Sequence, residues 1–419
     1  MPFSDEQIML TLAGLTYRGF ADVLHDDAHD GRVAAAVDAG LQDLAPVRGE
    51  WDLVWGPATS HETGEIVDSS AVYVARHRRE GARYVVAIRG TNPISLSDWQ
   101  FGDLWVNTTV PWPYAPAGAG AVVSASTALG LGVLQALRWR PSVTPAAGVL
   151  ASIVAHTAKM LRRVGAAAPR GAETLLAGLR AQLRARATDL LTDWEQQASG
   201  RAGLEAVLRF LAAARRHPPE IRRPRPRPAG PQGDTDLLTF LASAAAAPGP
   251  ALDVTVTGHS KGAALAQAVA LWLREALDSP AERWDAGRGA RVHCYAFAGP
   301  TPGNAAFAQR FEGLLGATHH HVRNVHDIVT HAWQPDELRQ IPALYGSRTA
   351  LFKPVIDAIV AATEPLGYRH VQPGVRQIAG PLLASRSFVE EFIHQHLEAY
   401  LHELGLDAHG VDALRLFVG

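Results

Sequence analysis

The sequence has very little cysteine and very little lysine. Cys294 is the one cysteine among 419 residues, so the chain can form neither an internal disulfide nor a cysteine-based zinc site. We expect Cys294, inside the apolar run VHCYAFAG, to be a small buried hydrophobic residue. Lysine occurs 3 times against 36 arginines. We attribute this imbalance to coding bias, because alanine is also abundant, and draw no mechanism from it.

A strong net charge is missing as well. The formal net charge is -2, which argues against a nucleic-acid partner. The N-terminal stretch MPFSDEQIMLTLAGLTY lacks a positive segment followed by an apolar one, so we expect no signal peptide. Cytoplasmic residence is the default expectation, and export by another route stays open. With 47% apolar residues, the chain can build a sizeable core.

Three sections follow one another along the chain. Residues 1–114 begin with a helix, which Ser4 and Gln7 would cap, and continue with strand-like runs. The runs SSAVYVARH and ARYVVAIRGT flank the polar turn RREG, a pattern that predicts a hairpin or neighbouring strands. From residue 233 to 419, strand and helix patterns alternate, which predicts an α/β fold with a mostly parallel sheet and helices on its faces.

The middle section, residues 115–232, has a different charge from its flanks. It holds 17 Arg and Lys against 6 Asp and Glu, a net of +11, whereas the remainder has a net of -13. It opens with an uncharged stretch, Ala115 to Leu137, and continues with arginine-studded helical patterns. It closes with RRHPPEIRRPRPRPAGPQG, whose prolines predict a linker or loop without regular structure.

The stretch LDVTVTGHSKGAALAQAVALWL contains the pattern G-x-S-x-G around Ser260. A clear strand pattern precedes the serine and a clear helical pattern follows it. At such a sharp turn the serine hydroxyl is exposed, and small residues two positions away on each side let strand and helix approach closely. The alternative is an ordinary turn with a helix-capping serine. The context favours a nucleophile, because a strand pattern precedes the serine and a helical pattern follows it, and the helix N-terminus can stabilise an oxyanion.

A nucleophilic serine needs a base and a group that orients the base. In sheets of this kind the chain order is serine, then acid, then histidine, and the best acid is Asp327 in VRNVHDIVTHAW. Asp336 and Glu337 follow in a polar loop, and we expect both to be solvated. The base should come from the late helix IHQHLEAYLHEL, where His396 is favoured and His394 is the alternative. We expect the tract His319–His321 to be exposed rather than to hold a metal.

Four segments together resemble the class 3 lipases, the fungal-lipase-like branch of the α/β-hydrolases. They are YVVAIRGT, VTVTGHSKGAALA, YAFAGPTPGN and RNVHDIV, and they occur in the family's order. The resemblance spans residues 1–114 and 234–405. It implies that Ser260 is the nucleophile, Asp327 the acid and His396 the base. It also implies an oxyanion hole formed by Thr91 and the amide of Lys261, with no metal and no organic cofactor.

The family's lid is short, whereas this chain has more than a hundred residues in its place. SDWQFGD, with Asp98 and Trp99, resembles the segment that leads to the lid. We therefore predict a catalytic domain of residues 1–114 and 233–419, with a helical, basic cap or lid at 115–232. The cap would contact a lipid interface. The alternatives are that 121–137 is a buried helix and that the arginine-proline tract is a solvated linker.

The function implied is a serine carboxylic-ester hydrolase, a triacylglycerol lipase or esterase, acting on lipids through an acyl-enzyme. A phospholipase A1 or an acyltransferase with the same triad is the alternative among enzymes. The alternative from another class is an inactive hydrolase-fold protein that binds lipid.

Overall fold

The computed structural model describes residues 2–18, 29–60, 70–91, 106–139, 221–227, 234–350, 352–384, 387–413 and 416–417. Most of the predicted cap, residues 140–220 and 228–232, lies outside the described residues. So does the segment with Asp98 and Trp99. The division of the chain into a catalytic domain and a cap therefore stays a prediction.

A seven-stranded sheet forms the centre of the described chain. In chain order its strands are β1 (Trp51–Ser60), β2 (Ser70–His77), β3 (Arg83–Ile88), β8 (Asp253–His259), β9 (Arg291–Phe297), β10 (His319–Asn324) and β11 (Val375–Ile378). The strands lie side by side in that same order. Strands β1, β2 and β3 pair antiparallel, and every pair from β3 to β11 is parallel. The predicted hairpin and the predicted α/β class are both confirmed.

Four short strands form two small additional ladders. Strand β4 (Thr109–Pro111) pairs with β5 (Val122–Ser124), and β6 (Arg138–Trp139) pairs with β7 (Thr235–Asp236). The second ladder joins a strand within the predicted cap to a strand just after it. An ion pair of 2.6 Å between Arg138 and Asp234 adds to this contact. Residues 138–139 and 235–236 are therefore held side by side.

Helices cover both faces of the sheet. In chain order they are α1 (Asp5–Leu15), α2 (His29–Asp43), α3 (Ala125–Ala136), α4 (Leu237–Ala246), α5 (Lys261–Ala276), α6 (Ala305–Leu315), α7 (Pro335–Leu338), α8 (Ile341–Leu344), α9 (Ser347–Ala350), α10 (Lys353–Thr363), α11 (Phe388–Ile393) and α12 (Ala399–Glu403). A π-helix, His394–Glu398, joins α11 to α12. Ser4 and Gln7 form the predicted capping box of α1. Among the described residues, no helix is long and apolar enough to span a bilayer.

Strand β3 shows how the sheet divides two cores. Its residues Tyr84, Val86 and Ile88 pack into a core with residues of α3, α4, α5 and α6. Val85 and Ala87 pack on the opposite face, with residues of α1, α2 and α12. Successive side chains of a strand point to opposite faces, so a strand buried on both sides is a continuous apolar run. A third, smaller cluster joins α7, α8 and α10 to Phe388 and Val389 of α11.

Helix α3 belongs to the first of these cores. Its residues Ala128, Leu131 and Leu134 are buried there, and a Cβ atom on Gly130 would lie 2.6 Å from the Leu265 side chain of α5. The uncharged stretch at 121–137 thus contains a buried helix. This agrees with the alternative given above, and not with contact between this stretch and a lipid interface.

The described part of the arginine-proline tract, residues 221–227, is neither helix nor strand, as predicted. It nevertheless contacts the main fold. Ile221 packs against the core, and Arg223 pairs with Glu282 at 2.9 Å and lies 4.6 Å from the centre of the Tyr114 ring. In this part of the tract the chain is docked rather than a free linker.

Candidate active site

Ser260 lies at the turn between β8 and α5. Its backbone has φ 62° and ψ -133°, a conformation that costs an ordinary residue about 1–3 kcal/mol. Two backbone hydrogen bonds of 2.9 Å hold it, one from Ser260 N–H to the Phe297 carbonyl and one from Ala263 N–H to the Ser260 carbonyl. The turn projects the hydroxyl beyond the carboxyl end of the sheet, where a substrate can reach it.

The glycines on either side of Ser260 make this turn sterically feasible. A Cβ atom on Gly258 would lie 2.1 Å from the Gly262 carbonyl oxygen. A Cβ atom on Gly262 would lie 2.5 Å from the Ile88 carbonyl oxygen of the neighbouring strand. Real Cβ atoms do not approach oxygen so closely. As predicted, the glycines of the pattern G-x-S-x-G allow the strand and the helix to approach each other closely.

The structure brings Ser260, His396 and Asp327 into one hydrogen-bonded chain. Ser260 Oγ lies 2.9 Å from His396 Nε2, and His396 Nδ1 lies 2.9 Å from Asp327 Oδ2. Asp327 is fully buried, while Ser260 and His396 are each 8% exposed. Since the carboxylate accepts at Nδ1, that nitrogen carries the hydrogen, and Nε2 is left free to accept the serine proton.

Asp327 is itself held by two donors. The Tyr400 hydroxyl donates to Asp327 Oδ2 at 3.0 Å, and the Val329 N–H donates to Oδ1 at 3.0 Å. The Asn324 N–H, at the end of β10, donates to the Tyr400 oxygen at 2.9 Å. Burial and the neighbouring Asp327 raise the pKa of Tyr400, so its hydroxyl stays protonated and able to donate. The carboxylate is thereby fixed in orientation beside the imidazole.

His396 and its alternative His394 point in different directions. His394 Nδ1 lies 3.2 Å from Glu398 Oε2, whereas His396 reaches Ser260. Both belong to the π-helix, in which Ala399 N–H donates to the His394 carbonyl five residues earlier. Such a wide turn is frequent at functional sites because it re-aims side chains. The ring of Phe392 stacks on that of His396, with a centroid distance of 5.5 Å and an interplanar angle of 15°.

The two predicted oxyanion donors flank Ser260. A Cβ atom on Gly90 would lie 3.1 Å from Ser260 Cβ, so Gly90, the residue before Thr91, lies beside the nucleophile. Lys261 is the first residue of α5, so its amide lies at the N-terminal end of that helix. The helix dipole adds partial positive charge at this point. An oxyanion hole formed by Thr91 and Lys261 stays a prediction.

A small pocket adjoins the nucleophile at Lys261, between the first turns of α3 and α5. Hydroxyl groups and one lysine make part of its wall polar, and Trp333 and Leu265 make the rest apolar. Its lining residues are Ser126, Thr127, Lys261, Ala264, Leu265, Pro300, Thr301 and Trp333.

Comparisons with known proteins agree with this geometry. The family model described as Lipase (class 3) matches residues 187–336, a stretch that contains Ser260 and Asp327 and ends before His396. Over these residues the chain matches the class 3 lipase family. It is an ester hydrolase of the lipase type, EC 3.1.1.

Solved lipase structures match the chain, and one of them shares its fold. A crystal structure of M37 lipase is 24% identical, covers 99% of this chain and 96% of that chain, and has a TM-score of 0.66. A mutant form of MDLA from Penicillium cyclopium is 14% identical over 91% of this chain and 82% of that one, with a TM-score of 0.37. A triacylglycerol lipase from Penicillium expansum is 8% identical over 90% and 80%, with a TM-score of 0.36. No curated protein matches the lipase significantly.

Two sequence expectations about this lipase are wrong. The tract His319–His321 is not exposed, because β10 lies inside the sheet and His319 and His321 are each 1% exposed. Glu337 is not a solvated carboxylate, because it pairs with Arg323 in a partly buried position, whereas Asp336 is exposed as expected. Cys294 is buried, as predicted. Within the described residues, no group of three potential ligands is arranged to hold a metal ion.

Sequence reasoning missed several residues of the site. Phe392 and the pocket residue Trp333 carry no motif that could have revealed them. His259 and Thr301 lie inside quoted motifs, GHSKG and AGPTPG, but their contacts depend on segments far away in the chain. A polar residue inside a buried motif is the signal that could have found them.

Proposed function

We propose that this lipase hydrolyses carboxylic esters of lipids with Ser260 as nucleophile, His396 as base and Asp327 as the group that orients the base. The observation that carries the proposal is the chain of two 2.9 Å contacts from Ser260 through His396 to Asp327. These contacts unite residues 69 and 136 positions apart in the sequence. Nothing in local structure requires that meeting, whereas nucleophilic catalysis does.

The proposed reaction has two halves. Ser260 Oγ attacks the acyl carbonyl while His396 Nε2 takes its proton, and the amides of Thr91 and Lys261 stabilise the oxyanion. Asp327 stabilises the imidazolium, which then gives its proton to the leaving alcohol. Water, activated by the same imidazole, attacks the acyl-enzyme and releases the fatty acid.

The test uses p-nitrophenyl esters from C2 to C16 with wild type, Ser260→Ala, His396→Ala and the matched control His394→Ala. We expect activity to vanish in the first two variants and to persist in the control. An optimum at long chains would favour a lipase, and one at short chains an esterase. Wild-type activity in Ser260→Ala would refute the mechanism. Labelling by a fluorophosphonate separates an active enzyme from an inactive lipid-binding protein.

Phospholipid is the second candidate substrate, and Lys261 favours it. Lys261 lines the pocket next to the nucleophile together with the hydroxyl-bearing residues Ser126, Thr127 and Thr301. A lysine among hydroxyl-bearing residues suits a phosphate group. The comparison is release of fatty acid from phosphatidylglycerol and from a triacylglycerol by wild type and Lys261→Met, which keeps the backbone amide. A selective loss on phosphatidylglycerol would support a phospholipase A1.

A lipid-interface role for residues 115–232 is also a proposal, supported by their net charge of +11. The exposed Arg222, Arg225 and Arg227 of the docked tract contribute to that charge. Replacing residues 145–215 by a short Gly/Ser linker leaves the β6–β7 ladder and this tract in place. We expect weaker binding to anionic liposomes and slower lipid hydrolysis, with unchanged activity on a soluble ester. Unchanged liposome binding and unchanged lipid hydrolysis would overturn the proposal.

A further inference from the structure

His259, the residue before the nucleophile, contacts the base directly. Its Nε2 lies 2.9 Å from the main-chain carbonyl oxygen of His396, and the two rings are 4.7 Å apart. His259 is fully buried. The side chain of His259 therefore connects the segment before the nucleophile to the main chain of the base, although His259 and His396 are 137 residues apart.

This contact fixes the tautomer of His259. A carbonyl oxygen can only accept, so Nε2 must carry the hydrogen and Nδ1 must be the acceptor. The Tyr17 hydroxyl lies 3.4 Å from Nδ1 and also 3.4 Å from the His259 carbonyl oxygen. Burial lowers the pKa of the His259 imidazole, and the neighbouring His396 lowers it further. A neutral His259 avoids placing a second positive charge beside His396 when that base takes the serine proton.

Tyr17 extends the connection to the oxyanion side. A Cβ atom on Gly90 would lie 2.1 Å from Tyr17 Oη and 2.5 Å from the His259 carbonyl oxygen. The hydroxyl of Tyr17 is therefore packed against the residue that precedes Thr91. The rings of Tyr17 and His259 also meet Phe417, with centroid distances of 5.3 Å and 5.0 Å.

We infer that His259 and Tyr17 are positioning residues for the proposed reaction. His259 holds the carbonyl of His396, and with it the π-helix, at the distance from which Nε2 reaches Ser260. Tyr17 holds His259 and Gly90 together, so that base and oxyanion donor keep their places relative to the nucleophile. The inference rests on the proposed function, because it needs His396 to be the base.

The reason such a pair is needed lies in the π-helix. Its backbone hydrogen bonding is shifted to the i+5 register at His394 and Ala399, a wide turn that is rare inside helices. A displacement of the catalytic group by about 1 Å can cost about 100-fold in rate. A donor fixed on the neighbouring strand end restrains that displacement.

The experiment compares His259→Leu with His259→Gln, whose amide nitrogen can occupy the position of Nε2 and donate to the same carbonyl. With a soluble p-nitrophenyl ester we expect kcat of His259→Leu to fall about 10- to 100-fold with KM changed less than about twofold. His259→Gln should keep kcat within about threefold of wild type. Thermal unfolding of each variant shows whether it is folded.

Tyr17→Phe keeps the packing and removes one hydroxyl, so it tests the positioning role even if His259→Leu does not fold. We expect its kcat to fall about two- to fivefold at unchanged KM. Wild-type kcat in Tyr17→Phe and His259→Leu, or equal losses in the Leu and Gln variants, would overturn the inference. Ser260→Ala, measured alongside, separates the two claims: if it stays active, the proposed function fails, and if it alone is inactive, only the inference fails.

Discussion

Two buried histidines, His396 and His321, differ in their partners more than in their depth. His396 is 8% exposed and has a partner at each ring nitrogen, Ser260 and Asp327. His321, on β10, is 1% exposed, and neither of its ring nitrogens has a partner among the described residues. Next to His396 lies a carboxylate that can stabilise a positive charge, whereas Arg323 lies near His321 and repels one.

The difference teaches what makes a buried histidine able to act as a base. In the proposed mechanism, Asp327 would stabilise the positive charge that the His396 imidazole gains with the serine proton. In the His321 group, formed by His319, His321 and His370, burial lowers the pKa of each imidazole, and charges near His321 and His370 lower it further. These rings are expected to stay neutral and to serve packing. A run of three histidines in a sequence is therefore no evidence of chemistry.

The largest effect is expected from removing the base. His396→Ala should lower kcat on p-nitrophenyl butyrate by about 10⁴-fold or more, because the serine loses its proton acceptor. His321→Phe should keep wild-type activity. Steady-state kinetics at pH 8 measure both. Comparable losses in the two variants would abolish the distinction between the two histidines.

Acid should act on the His321 group through stability. The pKa of His319 is lowered by burial from 6.5 to about 4, so below pH 6.5 the unfolded chain binds a proton that the folded chain does not. Stability must then fall as pH drops from about 6.5 towards 4, by about 3 kcal/mol for this residue alone. Burial also lowers the pKa of His321, His370 and His259, so these residues should reduce stability at low pH in the same way.

Urea unfolding between pH 7 and pH 5 measures this loss before most carboxylates titrate. One carboxylate lies close to these histidines: Glu337 pairs with Arg323 and lies 3.7 Å from His370. His402 provides an internal contrast, because its hydrogen bond with Asp407 raises its pKa and so gives stability towards lower pH. A stability that is constant or rising between pH 7 and pH 5 would contradict the burial of uncharged histidines.

A smaller effect is expected from replacing one buried imidazole. His321→Phe removes two unpaired ring nitrogens and should raise the free energy of unfolding by about 1–2 kcal/mol at pH 7, and by more at pH 5. The matched control is His320→Phe on the same strand, where the half-buried ring stacks on Tyr295 at 4.3 Å. The control should be nearly neutral. Destabilisation by His321→Phe, measured in urea, would indicate that the imidazole has a polar partner.

The smallest effect is expected at His394, which shares the π-helix with His396. His394→Ala should change kcat by less than about twofold, since a substitution away from the reacting atoms usually costs within about 0.5 kcal/mol. The same ester assay used for His396→Ala gives the answer. A loss approaching that of His396→Ala would mean that the base had been assigned to the wrong histidine.

Local patterns were sufficient for much of this protein. The hairpin of β2 and β3, the parallel strands from β8 onward and the turn at Ser260 all follow from residue types within about ten positions. The chain order of serine, acid and histidine pointed to Asp327 and favoured His396. These features depend on backbone geometry and on side-chain periodicity, both of which are local.

Tertiary structure decided which polar residues share an environment. The burial of His319 and His321 depends on β10 having strands on both sides, which no property of its own residues reveals. The ion pair of Glu337, the stacking of Phe392 on His396 and the contact of His259 with the His396 carbonyl join segments by packing. A sequence fixes which residues can be paired or charged, but the free energy of burial depends on neighbours that only the folded chain brings together.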